Sequence, residues 1–359
     1  MFTAALRGEP LRAEAPLMSV VVCTNRGPEH LRGCLEALQC QSIRKSLELI
    51  VVDDGAPEPL ACLCEQHEAK LLAHPANLGL AAARNTGWRA SSAPIVAFTD
   101  DDCRPERDWA ANLLGCYDDP SVLAAGGEVR PSGSRGLLAL YYELRPPIAP
   151  LEAELGQSSS LRHRLKLYLL ANLASSRKAG RREVYSLAGA SMSVRRQALL
   201  EVGGFDPGIR FGGEDEDFFY RLRKSLPGTK LVFEPAAVVE HEFRDDLRDL
   251  LRRARAYGRG CARNFLKHPG WGPTFFPVPV AACALAVAGT RRPAFLIAAT
   301  LLPAGAFPRW SAEAVRRRDL RRALLAWLQL LEEAASDVGF IAGLVAQRNV
   351  RTTQSGIAG

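Results

Sequence analysis

Three consecutive aspartates, Asp100 to Asp102, follow the apolar run I-V-A-F-T at residues 95–99. The run predicts a buried strand, and carboxylates crowded at its end repel one another. Because alternate residues of an extended chain point to the same side, Asp100 and Asp102 can face one ligand while Asp101 turns away. A hard divalent cation that also binds phosphate oxygens is the ligand such a pair favours. A solvated acidic turn or a helix N-cap is the alternative.

Two further clusters could recognise a nucleotide. Asp53 and Asp54 end the run L-E-L-I-V-V-D-D, where a carboxylate can accept hydrogen bonds from a base or a ribose hydroxyl; a plain turn is the alternative. Arg84 lies on a predicted helix after a tight turn at Asn77 and Gly79. Its fixed fork of donors suits a phosphate, and pairing with a structural carboxylate is the alternative.

A third cluster could supply a catalytic base. Glu214 and Asp215 follow Gly212 and Gly213 at the start of a predicted helix. Acids there can serve as caps, but the glycines also favour a carboxylate exposed on a turn that a substrate approaches closely. His241 lies just past a short apolar strand. A lone histidine is more often structural, yet imidazole can complete a metal site otherwise built of oxygens.

The elements that carry these residues alternate between strands and helices. The predicted strands are 19–23, 47–54, 70–73 and 95–99, and the predicted helices are 28–39, 58–69, 80–91 and one from 109. This alternation predicts an α/β fold with a mostly parallel sheet and helices on both faces. In such sheets ligands bind beyond the carboxyl ends of the strands. Polar clusters follow three of these ends, T-N-R, D-D-G and D-D-D, which predicts one shared site.

Composition limits the alternatives. The 359 residues are 47% hydrophobic with a formal net charge of +7, which indicates a folded chain with anionic partners. The nine cysteines have irregular spacing and no C-x-x-C, which argues against a zinc site and favours reduced thiols in a cytoplasmic protein. Residues 1–17 lack the apolar core of a signal peptide, so we expect a loose leader.

The last third of the chain has a different pattern. Five arginines at helical spacing form one face of a predicted basic helix: Arg248, Arg252, Arg255, Arg259 and Arg263. Two apolar runs follow, 275–289 and 294–307, each shorter than the roughly 20 residues of a spanning helix. A second basic stretch starts at Ser311. The pattern predicts peripheral or monotopic contact with an anionic membrane surface, although Arg291 and Arg292 argue against deep insertion. A buried helical subdomain or a dimer interface is the alternative.

Six segments in order carry a family resemblance: S-V-V-V-C-T, V-V-D-D-G, N-L-G-L-A-A-A-R-N, F-T-D-D-D-C-R-P, G-G-F-D and G-G-E-D-E-D-F-F-Y-R-L. Together they resemble glycosyltransferase family 2, the nucleotide-diphospho-sugar transferases with the GT-A fold, over about residues 19–243. After the leader, 1–17, the resemblance implies a GT-A domain, 18–243, with a donor half, 18–130, and an acceptor half, 131–243. A helical region, 244–359, follows.

The family's roles carry over to matching positions. The resemblance implies donor contacts at Thr24, Asp53, Asp54, Asn77, Gly79, Arg84, Asp100 and Asp101. It implies a Mg²⁺ or Mn²⁺ ion bound by Asp100, Asp102 and His241. It also implies a catalytic pair, Glu214 and Asp215, in which Asp215 is the general base.

The implied reaction is an inverting transfer of a sugar, favoured to come from a UDP-sugar, to an acceptor hydroxyl in polysaccharide, glycolipid or other glycoconjugate synthesis. No Q-x-x-R-W follows the E-D region, which favours a single addition over polymerisation. Many relatives have a small or aromatic residue where this sequence has Arg26, and this difference makes the nucleotide base of the donor harder to predict. A nucleotidyltransferase is the alternative enzyme class, but this sequence lacks the glycine-rich phosphate loop typical of that class. A second alternative is a non-catalytic protein that binds membranes or nucleic acids, in which the acidic sites would be expendable. We expect no nucleic-acid partner.

Overall fold

The computed structural model describes residues 15–152, 160–173, 180–209, 212–268, 272–273 and 275–355, with side chains described as far as residue 346. Most of the predicted leader, residues 1–14, lies outside these ranges.

Ten strands and thirteen α-helices lie in the described ranges. The strands are β1 Met18–Thr24, β2 Leu47–Asp53, β3 Ala69–Ala73, β4 Ile95–Asp100, β5 Cys103–Pro105, β6 Val122–Ser132, β7 Leu151–Glu152, β8 Arg182–Ser186, β9 Met192–Arg195 and β10 Lys230–Glu242. The first helices are α1 Pro28–Gln39, α2 Ala61–Gln66, α3 Leu80–Arg89, α4 Trp109–Leu114, α5 Gly136–Leu144, α6 Leu161–Leu173, α7 Arg196–Val202 and α8 Glu214–Ser225. The C-terminal helices are α9 Leu247–Lys267, α10 Pro277–Gly289, α11 Ala294–Ala306, α12 Pro308–Arg317 and α13 Leu325–Ser355.

The sheet is mixed, with strand order β3-β2-β1-β4-β9-β6-β10-β8-β7 and β5 paired to β10. The first four strands in this order are parallel, and β6 and β10 are also parallel to each other. β9 is antiparallel to both of its neighbours, and β5, β7 and β8 also pair antiparallel. The parallel half carries the predicted strands, because these are the strands joined by crossover helices. The α/β class with flanking helices is confirmed.

Each face of the sheet is buried by its own set of helices. Along β1, Met18, Val20 and Val22 pack into one core with α1, α2 and α4. Val21 and Cys23 pack into a second core with α3, α7 and α8. The period-2 alternation of an extended strand sends successive side chains to opposite faces. A strand covered on both faces therefore reads as the continuous apolar run seen in the sequence.

A third core joins the C-terminal helices to the rest of the chain. Tyr141 and Tyr142 of α5 pack with Phe243, Trp310 and Leu325. The Tyr141 and Trp310 rings stack with centroids 5.3 Å apart. The boundary predicted at residue 243 thus falls within a shared core, and the division into two domains stays a prediction.

Glycines in the basic helix α9 have a packing role rather than the purely weakening one expected from helix propensity. A Cβ on Gly258 would lie 2.0 Å from the backbone oxygen of Ser336 in α13, and one on Gly260 would lie 2.4 Å from that of Gly212. Only glycine allows such close approach of two backbones. Helix α9 is therefore clamped between α13 and the Gly212–Gly213 turn, which brings it to the carboxyl edge of the sheet.

The two apolar runs form α10 and α11, joined at Arg291 and Arg292. Several of their side chains are open to solvent, including Val287 at 70% and Ile297 at 64% exposed. Within the described part of the chain, none of the helices combines the length and the apolar character that crossing a bilayer requires.

Candidate functional site

The carboxyl ends of β1, β2 and β4 meet at one edge of the sheet, as the sequence predicts. β5 folds back from β4 and pairs with β10, so that Cys103 lies opposite His241. The backbone N–H of Glu242 donates to the carbonyl of Asp102 at 3.0 Å. This pairing brings His241, 139 positions after Asp102 in the chain, to the aspartate cluster.

A four-residue cluster, Asp100, Asp102, Cys103 and His241, could hold a metal ion. One candidate ligand atom from each residue lies within 4.8 Å of all the others. The imidazole stacks on Phe243 with centroids 4.3 Å apart, and its Nε2 lies 3.4 Å from Asp102 Oδ1. Burial raises the pKa of Asp100, an effect that Arg84 opposes and Asp102 reinforces. Carboxylates drawn this close, with one imidazole, fit a divalent cation with a preference for oxygen ligands.

Asp101 turns away from this cluster. Its carboxylate accepts a hydrogen bond from Thr24 Oγ1 at 2.5 Å and from Arg26 Nε at 3.0 Å. Arg26 Nη2 also lies 2.8 Å from Asp102 Oδ2. Asp101 is 4% exposed, and its carboxylate is held by Thr24, at the end of β1, and by Arg26, just beyond that strand. The unusual Arg26 therefore braces the aspartate segment; a donor contact by Asp101 stays a prediction.

The two aspartates after β2 shape loops. Asp54 accepts hydrogen bonds from the backbone N–H groups of Leu78 at 2.8 Å and Gly79 at 2.9 Å, and His74 Nδ1 lies 2.7 Å away. Gly79 has φ +98°, a conformation that favours glycine. Asp53 Oδ1 accepts from the backbone N–H groups of residues 55 and 56, which makes it a turn cap. Asp54 and the 77–79 loop line a cavity at this edge of the sheet, whereas the Asp53 side chain faces its own turn.

Arg84 pairs with a carboxylate, the alternative left open by its sequence context. Its Nη1 lies 2.7 Å from Glu214 Oε1, and its Nη2 lies 3.5 Å from Asp100 Oδ1. Burial opposes the charge of Arg84, but the two carboxylates outweigh it and raise the arginine pKa. The guanidinium, 3% exposed, thus links the predicted metal cluster to the catalytic pair. Contact between Arg84 and a phosphate stays a prediction.

Asp215 is held at the first turn of α8. Its Oδ2 accepts a hydrogen bond from the backbone N–H of Gly189 at 3.1 Å, and its Oδ1 accepts from that of Glu216 at 2.8 Å. Burial raises the pKa of Asp215 to about 6, helped by the charge of Glu214. A carboxyl group with a raised pKa in a pocket can accept a proton near neutral pH.

Two adjoining cavities surround these groups. The first, here the acidic cavity, has a volume of about 520 Å³ and is lined by the ends of β1 and β4, the 77–79 loop, His241 and α9. The second, the junction pocket, has about 320 Å³ and contains Arg84, Glu214 and Asp215. Asp100 and Tyr257 line both. Apart from Asp53, whose side chain caps its own turn, the predicted donor, metal and base residues therefore line these two adjoining cavities.

Sequence reasoning missed several lining residues. A candidate metal ligand, Cys103, which directly follows the aspartates, was missed too. Tyr257 and Arg253 of α9 line the acidic cavity, because the glycine contacts carry that helix to the sheet edge. Arg252, assigned to a membrane-facing stripe, lines it too. Glu216 lines the junction pocket, and burial raises its pKa to about 7. The E-D-E-D run was the available signal for Glu216.

Known families match most of the chain. The model described as glycosyl transferase family 2 matches residues 19–187, and that described as glycosyl transferase family group 2 matches residues 161–307. The chain belongs to glycosyl transferase family 2. Among relatives of this family-2 protein, a pre-mycofactocin glycosyltransferase of Mycobacterium tuberculosis is 31% identical over 263 residues, 70% of the chain and 48% of the relative. The chain thus spans about half the length of that relative.

Other similar proteins cover more of their own length. The glycosyltransferase AglE of Haloferax volcanii is 26% identical over 68% of this family-2 chain and 73% of its own. The glucosyl-dolichyl phosphate glucuronosyltransferase of the same organism is 28% identical over 63% and 69%. In structure, the mannosyltransferase PcManGT of Pyrobaculum calidifontis, solved with GDP-Man and Mn²⁺, superposes with a TM-score of 0.55 at 20% identity over 91% of this chain and 88% of that one. This likeness supports the GT-A fold.

Proposed function

We propose that this protein transfers a sugar from a nucleoside diphosphate sugar to an acceptor hydroxyl in one inverting step that needs a divalent cation. The observation that carries the proposal is the pair of adjoining cavities in which Arg84 contacts both Asp100, a member of the Asp100, Asp102 and His241 cluster, and Glu214, the chain neighbour of Asp215. A sugar transfer needs the metal-bound diphosphate and the acceptor base within reach of the same sugar. UDP-sugars are the favoured donors. GDP-mannose is a second candidate donor, because PcManGT was solved with it.

The donor would lie in the acidic cavity. Asp100, Asp102 and His241 would hold Mg²⁺ or Mn²⁺, and the ion would neutralise charge on the leaving diphosphate. Each such electrostatic interaction contributes about 2–4 kcal/mol, so the ion would lower the barrier by several kcal/mol. Arg252 and Arg253, which line the same cavity, add positive charge for the phosphates. Asp54 and the 77–79 loop form the wall toward the base and ribose.

The acceptor would enter the junction pocket. Asp215 takes the hydroxyl proton as the acceptor oxygen forms a bond to the anomeric carbon, and the bond from that carbon to the diphosphate oxygen breaks with its electron pair leaving on the nucleoside diphosphate. Glu214 Oε2 is buried and lacks a hydrogen-bond partner among the described residues. A bound sugar or acceptor hydroxyl in the pocket would satisfy it.

A panel of sugar nucleotides tests the proposal. The full chain is incubated with UDP-, GDP- and dTDP-sugars, with and without Mn²⁺ or Mg²⁺, and release of nucleoside diphosphate is measured. We expect metal-dependent release from one nucleotide class even without acceptor, because water can replace the acceptor hydroxyl. The anomeric configuration of a transfer product, read by NMR, should be inverted. Release of nucleoside monophosphate or pyrophosphate, or no release at all, would overturn the assignment.

We also propose that the α10–α11 hairpin rests on an anionic membrane surface. Exposed apolar side chains lie beside the exposed Arg291 and Arg292, a combination that fits an interface of acyl chains and acidic headgroups. The cytoplasmic face of a membrane is the corresponding location. Cutting the chain at Phe243 would break the third core, so point variants are the better test.

Flotation with liposomes checks this surface. The native chain should float with vesicles of phosphatidylglycerol and phosphatidylcholine and less with phosphatidylcholine alone. The double variant Val287→Glu and Ile297→Glu should stay at the bottom, because each charge opposes contact with acyl chains. Leu200→Glu is the matched control, since Leu200 is 48% exposed on α7. A native chain that never floats, or a double variant that floats equally well, contradicts the proposal.

A further inference from the structure

A third cavity of about 800 Å³, here the apolar cavity, lies between α6, α10 and the segment before α10. Its wall is built mainly of leucine, phenylalanine, proline and alanine side chains, such as Leu165, Phe276 and Ala284. Tyr168 contributes its ring, while its hydroxyl donates to Glu333 at 2.7 Å. The sugar-nucleotide donor and the metal ion are both highly polar, so neither would bind against such an apolar surface.

The apolar cavity adjoins the junction pocket. Leu151, Glu216 and Cys261 line both. Glu216 is the direct chain neighbour of Asp215, whose carboxylate lies in the junction pocket. One molecule can therefore place a hydroxyl at Asp215 and extend its remaining part past Glu216 into apolar surroundings.

The charged groups of the apolar cavity stand at this shared end. The guanidinium of Arg164 interacts electrostatically with Cys261 and Glu216, both of which belong to the shared wall. It packs closely on Gly272, where a Cβ would lie 2.6 Å from Nη1. The rest of the lining consists mainly of apolar side chains and tyrosine rings, and it reaches the surface at Leu161, which is 65% exposed. Pockets with a few convergent polar groups at one end and an apolar wall elsewhere bind amphipathic ligands.

We propose that the apolar cavity holds an aliphatic chain of the acceptor, so that the acceptor is an amphipathic, lipid-like alcohol or glycoside rather than a free sugar. This inference rests on the proposed function and names its acceptor class. The hydroxyl end lies in the junction pocket beside Asp215, the linking region passes Arg164 and Glu216, and the chain runs between α6 and α10 toward the exposed apolar rim.

Chain-length dependence tests this assignment. Methyl and octyl β-glucosides, both below any micellar concentration, are compared as acceptors at saturating donor. Because burial of each added methylene favours binding, the octyl compound should be used at least tenfold more efficiently in kcat/KM. Direct calorimetric titration of the two glucosides should show at least tenfold tighter binding of octyl glucoside, whether or not transfer to this headgroup occurs.

A filled cavity should remove the preference. In Ala284→Trp the indole occupies the cavity, and the octyl-to-methyl ratio should fall to between one and two in both binding and transfer. The matched control is Ala286→Trp, because Ala286 is an exposed residue of the same helix that does not line the cavity. Donor hydrolysis without acceptor should be unchanged in both variants, which also reports on folding.

The outcomes separate this inference from the proposed function. Native protein that hydrolyses the donor but treats methyl and octyl glucosides alike in binding and transfer keeps its function and loses the lipid-like acceptor. Equal loss of the octyl preference in Ala284→Trp and Ala286→Trp would place the chain elsewhere. Absence of donor hydrolysis, by contrast, counts against the transferase assignment, whereas the calorimetric comparison still decides whether the cavity takes an aliphatic chain.

Discussion

Asp215→Asn should lower the rate of sugar transfer by a factor of at least about 10², or about 2.7 kcal/mol of barrier, while donor affinity stays nearly constant. Asparagine keeps the side-chain shape and can accept the hydrogen bond that Gly189 N–H now donates at 3.1 Å. It cannot take up the acceptor proton. Turnover at saturating donor and a calorimetric donor affinity measure the two effects separately.

The control is Asp245→Asn, which removes an exposed carboxylate just before α9 and should leave both quantities unchanged. Native turnover in the Asp215 variant would remove this residue from the role of base. A parallel collapse of donor affinity would instead indicate damage to the fold of the junction pocket.

The pH profile provides a second reading of the same residue. The base must be unprotonated to act, and burial with the Glu214 charge raises the pKa of Asp215 to about 6. The value of kcat/KM should therefore be level above pH 6 and fall about tenfold per unit below it. Burial also raises the pKa of Glu216, to about 7. Glu216→Gln should keep the limb near pH 6; a limb near pH 7 that this variant removes would assign the base role to Glu216.

Loss of the divalent cation should have the other large effect. Chelation with EDTA should abolish transfer, and added Mn²⁺ or Mg²⁺ should restore it. Asp102→Asn should weaken Mn²⁺ binding at least tenfold and lower transfer by about 10² or more, because charge on the leaving diphosphate is then poorly neutralised. Arg26 retains its contacts with Asp101 in this variant, so we expect the local fold to persist.

Titration of Mn²⁺ by calorimetry measures the binding effect independently of activity. Asp119→Asn is the control, since Asp119 is a surface carboxylate paired with Lys230 at 3.0 Å. Full transfer in excess EDTA, or native Mn²⁺ affinity in the Asp102 variant, would show that the aspartate cluster does not serve as the cation site.

Local patterns were sufficient for the elements that carry the site. The spacing of Leu31, Leu35 and Leu38 predicts the helix at residues 28–39, and α1 spans Pro28–Gln39. The run ending at Asp100 is β4. The ends of strands can be predicted from sequence because side-chain periodicity is a property of a few consecutive residues. Since parallel strands share one carboxyl edge, the meeting of three polar clusters also follows from sequence.

Antiparallel strands were harder to foresee. β9 spans only Met192–Arg195, and it enters the sheet between β4 and β6. A strand this short has too few residues for a clear alternation, and its direction depends on which neighbours remain unpaired. The mostly parallel sheet predicted from the first four strands is therefore a mixed one.

By itself the sequence determined the α/β class, the order of the acidic clusters and the family to which they belong, because these reside in local periodicity and short motifs. Only the tertiary structure decided that Arg84 pairs with Glu214 across 130 positions, that α9 closes the acidic cavity, and that an apolar cavity opens behind Asp215. Each of these depends on which helix faces meet, and that choice is made by packing between segments that lie far apart in the chain. Single-segment patterns carry no record of such distant partners.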